Sequence, residues 1–324
     1  MDAHMRIRIR EIRGVVPMSR NARGVALALI GGIGWGFSGA CAQFLFSAYG
    51  LNAVWLTVVR MLCAGVLLLV VVLATKREQL VRMVKTPKAV GRLLVFAVFG
   101  LMLCQFTYLE AIQYSNAGTA TVLEYIGPVL IVAATCLSCH RLPRAKEIAA
   151  MLCVVVGTFL LATHGNPGTL ALSPQALFWG LAAAVTVAIY TIAPGSLMKT
   201  YGSLPVVACG MLIGGAVLGI ATQAWAAAPT FGEGGLDTVG VAVLLAGLVL
   251  VGTAIGFSAY LQAVADIGAA KASLIASVET VSATAFAVLW LGTSFEPVDF
   301  VGFVFIMATV FLLANYKGEP VESE

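Results

Sequence analysis

The sequence is poor in charge. Only 10% of its 324 residues are Asp, Glu, Lys or Arg, against roughly 25% in an ordinary soluble domain. With 60% hydrophobic residues, it cannot cover a water-facing surface of that size, so a soluble globular protein is excluded. Histidine is scarce, at three residues. There is no G-x-S-x-G, no H-E-x-x-H and no pair of aspartates within one apolar run, which removes the common hydrolase and metalloprotease arrangements. An intramembrane enzyme is therefore a remote alternative, and no catalytic residue is expected. The seven cysteines are odd in number and sit mostly in apolar runs. They do not make a disulfide framework and read as small buried apolar groups. Too little hydrophilic chain remains for a scaffold or receptor surface.

What the sequence does have is a succession of long apolar runs, many near the roughly 20 residues that span a bilayer. Ten spans are expected, at about 24–47, 53–74, 91–112, 117–138, 147–164, 176–197, 205–226, 239–263, 269–292 and 298–316. Breaker clusters such as HGNPG at 164–168 and PTFGEGG at 229–235 separate some of them. The remaining links are short, so neighbouring spans pair as antiparallel hairpins. The fold class is an all-α integral membrane protein of ten transmembrane helices.

The net charge of +4 is not a nucleic-acid signal, because the basic residues sort by loop. Six arginines lie in the N-terminal segment 1–23, and six basic residues lie between Lys76 and Arg92. Arg141, Arg144 and Lys146 follow span four, and Lys199, Lys271 and Lys317 mark later turns. With both termini cytoplasmic, all 18 of these fall inside and only Arg60 is left within a span. That asymmetry is what orients helical membrane proteins. The N-terminal segment reads as a retention and lipid-contact stretch, and 317–324 as a cytoplasmic tail. The bilayer is the first expected partner, in a multi-pass inner or plasma membrane location.

Two patterns mislead. The segment CLSCH, Cys136 to His140, matches a c-type haem attachment motif, but it lies on the expected cytoplasmic side. As a zinc site it lacks a fourth ligand. Ala40-Cys41-Ala42 resembles a cleavage site, yet cutting there would delete a span that has a counterpart later in the chain. No cofactor, metal site or cleavage is expected.

That counterpart follows from an internal repeat. At a constant shift of 152 positions, Tyr49-Gly50 falls on Tyr201-Gly202, Gly100 on Gly252, and Tyr108-Leu109 on Tyr260-Leu261. At the same shift Phe159-Leu160-Leu161-Ala162 falls on Phe311-Leu312-Leu313-Ala314. Each repeat holds five spans, an odd number, so the second must enter the bilayer inverted. Inverted repeats are a recurring device of secondary transporters, with the site near the midplane between the halves. Duplication that merely built a larger bundle is the alternative.

The segments WGFSGACAQ, Val59-Arg60-Met61, YSNAGTATVLEYIGPVL and GAAKASLIASVETVSA resemble the drug/metabolite transporter superfamily, of the EamA type, over nearly the whole chain. The resemblance implies two EamA repeats, at 24–164 and 176–316, around a central cavity, and often export of amino acids, related metabolites or drugs. Members often show Glu-Pro where this chain has Glu279-Thr280, so no proline forces a kink in span nine.

The residues that could carry transport are the charges inside spans. Pro128 cannot donate to the carbonyl of Glu124, and Gly127 relieves the restriction on the residue before proline. A carboxylate and a freed carbonyl therefore meet about 10 Å below the outer surface, at ~1.5 Å per residue. Arg60 lies at a similar depth, where an unpaired charge costs about 2.5–3.5 kcal/mol. An Arg60–Glu124 pair, fixed or broken during a cycle, is expected; the second repeat has Leu212 and Ala276 there, so it is not duplicated. Glu279, near the middle of span nine, has no basic residue at its depth and can bind a proton or a substrate amine. Trp35, Ser38, Gln43, Gln105, Tyr108, Tyr190 and Thr191 are further candidates, for which cavity lining and helix packing both stay open. Glu110 is expected to reach water at the outer end of span three. The expected function is a secondary transporter that exports a small amino-acid-like or drug-like metabolite by alternating access, with protons as a candidate coupling ion. A passive facilitator is the runner-up. A monomer or weak homodimer is expected.

Overall fold

The computed structural model describes residues 19–292 except 116, 164–165, 167–172 and 233–234, together with 297–298, 301–302, 304–305 and 308. Most of the tenth expected span, the first 18 residues and the tail 317–324 lie outside the described residues. Among the described residues the secondary structure is helical, apart from one isolated bridge between Phe231 and Leu236.

Helix α1 runs from Arg20 to Tyr49, started by Ser19, whose hydroxyl accepts from the Ala22 amide at 3.1 Å. It stops at Gly50, whose φ of 60° is open to glycine at little cost. Asn52 then caps α2, Ala53–Thr75, so a turn of three residues makes the hairpin. The short α3, Arg77–Val84, leads to α4, Pro87–Tyr114. Next come α5, Ala117–Glu124, α6, Gly127–Ser138, and α7, Ala145–Thr163. The second half holds α8, Pro174–Tyr201, α9, Ser203–Thr222, α10, Thr238–Ile267, α11, Ala269–Ala276, and α12, Val278–Leu291. Seven helical runs among the described residues are long and apolar enough to cross a membrane, α11 and α12 counting as one run. Val70, Phe99, Phe178, Ile220 and Leu289 point outward and are exposed, which suits a hydrocarbon surround rather than water.

Helices from the two halves interleave. α1 lies antiparallel to α10: Arg23 makes a two-point ion pair with Asp266 at one end, at 2.7 and 2.8 Å. Tyr49 donates to Asp237 at the other end, at 2.6 Å. α2 packs on α9, where Gly214 and Gly215 lie against Met61 and Leu62. α4 packs on α8, where the hydroxyls of Thr107 and Thr186 are 2.9 Å apart. The glycines of α9 thus serve contacts within the chain.

Two irregularities recur at the repeat spacing. Phe96–Met102 of α4 is π-helical, and its equivalent lies inside the π-helical stretch Val243–Ile255 of α10. Such wide turns often mark functional sites. The fourth expected span of each half is broken, after Glu124 in one and after its equivalent Ala276 in the other. The second break forms although Thr280 stands where related sequences often carry proline. The Thr280 amide turns to the Ser277 carbonyl at 3.1 Å, one residue short of the helical partner, and leaves the Ala276 carbonyl free.

Candidate substrate and proton site

Both breaks open onto one cavity. α1 contributes Trp35 and Ser38, α2 contributes Arg60, and α4 contributes Cys104 and Tyr108. Glu124 and Tyr125 come from the first break, and Ser273, Ala276 and Glu279 from the second. Val187, Phe257 and Tyr260 complete the wall. The space open to water centres is about 50 Å³, where one water needs about 10–15 Å³. In this conformation the cavity takes a few waters or a small polar group.

Glu279 is 5% exposed and sits in the first turn of α12. Its Oε2 accepts from the Tyr125 hydroxyl at 3.2 Å and its Oε1 from the Tyr108 hydroxyl at a long 3.5 Å. Each tyrosine has a second acceptor. Tyr125 also reaches the freed Ala276 carbonyl at 3.0 Å. Tyr108 lies 3.0 Å from the Thr121 hydroxyl, which itself reaches the Ala117 carbonyl at 2.6 Å. With the Thr121 proton on Ala117, two tyrosine protons face four acceptors, two of them on Glu279. Two arrangements follow: both protons turn to an ionised Glu279, or both turn away and a protonated Glu279 donates to a tyrosine oxygen. A net hydrogen bond is worth about 0.5–1.5 kcal/mol and one to a charged group about 1.5–3, so charging Glu279 decides between them.

Small residues on α1 let the second break come this close. A Cβ on Gly32 would sit 2.5 Å from the Ala276 carbonyl oxygen, and one on Gly36 would sit 2.6 Å from the Glu279 carbonyl oxygen. At the first break, a Cβ on Gly127 would collide with Val187 of α8.

The structure gathers some of the expected residues and not others. Trp35, Ser38, Arg60, Tyr108, Glu124 and Glu279 line the cavity. Gln43 lies elsewhere, its side chain accepting from the Ala117 amide at 3.3 Å, at the start of α5. Gln105 turns to Met211, and Thr191 to the Tyr260 hydroxyl at 3.1 Å. Tyr190 stacks on Phe96 and Tyr260 behind the wall. Arg60 and Glu124 face the same space, but no direct ion pair joins them among the described residues. The Arg60 guanidinium donates from Nη2 to the Gln105 carbonyl at 2.9 Å instead. Glu110 is 8% exposed, buried against the expectation that it reaches water. Lys271 donates to Asn21 at 2.8 Å.

Sequence reasoning missed Tyr125, Phe257, Tyr260 and Ser273. The repeat carried a signal for two of them: Tyr260 is the equivalent of Tyr108, and Ser273 of Thr121. No cluster of three His, Cys, Asp or Glu side chains among the described residues is placed to hold a metal.

The EamA-like transporter family matches residues 22–163 and again residues 174–315. The chain belongs to the EamA-like transporter family. It is also 37% identical to an uncharacterized inner membrane transporter, YicL, of Salmonella typhimurium (strain LT2) over 300 residues, 92% of this chain and 97% of the relative. A solved crystal structure superposes with a TM-score of 0.71 at 19% identity, over 92% of this chain and 98% of that one; this likeness concerns the fold alone. Family and relative point to a membrane transporter rather than an enzyme.

Proposed function

We propose that this EamA-family protein is an inner-membrane secondary transporter that exports a small metabolite by alternating access, with Glu279 exchanging a proton or a substrate amine. The inner membrane is the setting named for the Salmonella relative. The architecture proposed is ten helices in two inverted repeats, with both termini cytoplasmic. Supporting the inversion, equivalent loops sit at opposite ends of the helices. Gln79 of α3 lies near Gly202, beside Ser203, whose hydroxyl is linked through Gln262 to Asp266 and Arg23. The equivalent loop in the second half reaches Asp237, paired with Tyr49 at the far end of α1.

The observation that carries the mechanism is the Tyr125 hydroxyl between Glu279 and the Ala276 carbonyl. When Glu279 is charged, the tyrosine proton belongs to the carboxylate and the break loses its clamp. When Glu279 takes a proton, Tyr125 turns to Ala276 and ties α11 to the first break. Proton binding thereby favours one packing of the broken helices over another, which is what coupling requires.

Proteoliposomes loaded with amino acids and cationic drugs, with and without a pH gradient, test this. Glu279→Gln keeps the shape, so insertion should be normal while transport falls about tenfold or more, the loss expected for a charge-assisted contact. Its dependence on the gradient should vanish, and Glu279→Asp should keep part of the activity. A wild-type rate and pH dependence in Glu279→Gln would refute the role.

A further inference from the structure

The charges on the cavity wall do not cancel. Among the described residues that line it, Arg60, Glu124 and Glu279 are the groups ordinarily charged at neutral pH. Cys104 and Tyr108 of α4, Tyr125 at the first break and Tyr260 of α10 can ionise, but are ordinarily neutral there. Lys271 of α11 bonds Asn21 at the start of α1, and Glu110 of α4 does not line the space. Arg60 is 3% exposed and keeps its charge, since a guanidinium does not deprotonate in proteins. It donates to the Gln105 carbonyl at 2.9 Å and bridges neither glutamate. The second repeat has Leu212 at the equivalent position, so it adds no second cation. Two carboxylates therefore share the cavity with one permanent positive charge. A net charge enclosed at this depth is strongly unfavourable, so the cavity is balanced only when it holds one more.

We propose that Arg60 is a fixed internal counter-ion that limits the cavity to one exchangeable positive charge, either a proton or a single ammonium group. The inference rests on the transport reading above and adds its charge rule. Arg60 offsets one carboxylate through space, and the cargo offsets the other. A proton that leaves must be replaced by one monovalent cation, so the cavity is neutral in both loaded forms. Exchange is then one for one and moves no net charge across the bilayer. The empty cavity keeps a net negative charge, which opposes passage of the unloaded form. A divalent amine would leave a surplus positive charge, and Arg60 thereby excludes it. Without Arg60, the same two glutamates would hold two protons or one divalent amine.

Infrared spectroscopy of the purified full-length protein counts protonated buried carboxyls without any substrate, against a protein with both Glu124→Gln and Glu279→Gln. At neutral pH the wild type should show one, Arg60→Gln two, and Glu124→Gln none. Arg60→Gln combined with Glu124→Gln should return to one. A wild type with none or two, or an Arg60→Gln protein that matches it, would overturn the proposal. If Arg60→Gln does not insert, Glu124→Gln decides: none supports the rule and one overturns it. Calorimetric titration with propylamine and 1,3-diaminopropane, which share a chain and differ by one ammonium, reads the rule as binding. The wild type should prefer the monoamine by roughly tenfold or more, and Arg60→Gln should prefer the diamine. No binding of either by the wild type, or a preference unchanged by Arg60→Gln, would overturn the ammonium rule. In proteoliposomes, transport driven by a pH gradient should ignore an imposed membrane potential. Dependence on the potential would overturn one-for-one exchange and leave proton-coupled transport standing. A wild type that transports nothing would sink the transport reading, while the carboxyl count still decides the charge rule.

Discussion

Tyr125 holds one hydroxyl proton between two acceptors, and that single atom gives the site a second stable arrangement. Tyr125→Phe removes a donor to charged Glu279 and a clamp on Ala276 together. Transport should slow about tenfold, since both arrangements lose a hydrogen bond. Tyr108→Phe should do less, because its bond to Glu279 is 3.5 Å long and it has Thr121 nearer. Equal effects in proteoliposomes from the two substitutions would argue against Tyr125 as the pivot. The two glutamates were legible in the sequence because a charge in an apolar run is conspicuous. The tyrosines were not, since an aromatic ring in such a run looks the same whether it packs or donates. For Gln43 and Gln105 the sequence left lining and packing both open. A glutamine inside a span must find partners, and these found a backbone amide and a methionine rather than the cavity.

The elements meet at the glycines of α1. Gly32 and Gly36 could be read as a packing surface, but their partner was not readable, because it is the backbone of a helix break that forms without a proline. The start of α12 comes so near that Gly36→Ala places a methyl against the Glu279 carbonyl and the Ser282 hydroxyl. Overpacking of this kind costs about 1–3 kcal/mol. We expect Gly36→Ala to lower the melting temperature in detergent and to reduce transport, because α12 must shift away with Glu279 on it. Gly91 is the control: a Cβ there meets nothing within 4 Å. Gly91→Ala should be neutral or slightly stabilising by helix propensity. A Gly36→Ala protein as stable and active as Gly91→Ala would remove the close packing of α1 on the break from the account. The break itself shows why motif reading fell short. Proline is one way to free a carbonyl, but an amide that bonds one residue early frees it as well.

At the scale of the molecule, the shift of 152 positions did more than any motif. It matched Tyr108 with Tyr260 and Glu124 with Ala276, where the structure places two cavity tyrosines and the two breaks. It could not say which helices of one half touch which of the other, since that depends on side-chain fit across the repeats. The same shift carries the last prediction. Lys85, in the loop after α3, has Asp237 as its equivalent, and the proposed five spans per repeat would put the two on opposite faces of the membrane. α1 gives the separation, because Arg23 and Tyr49 tie its two ends to different ends of α10. With ~1.5 Å of rise per residue, those ends stand about 40 Å apart, more than the ~30 Å hydrocarbon thickness. Asp237 caps α10 and is better left in place, so Phe231, exposed in the same loop, serves as the probe. In a background without the seven native cysteines, Lys85→Cys should react with a membrane-impermeant maleimide only from the cytoplasmic side. Phe231→Cys should react only from the other side, and permeabilised membranes should label both. Labelling of both cysteines from one side of sealed membranes would end the inverted-repeat arrangement, and alternating access built on two inverted halves would fall with it.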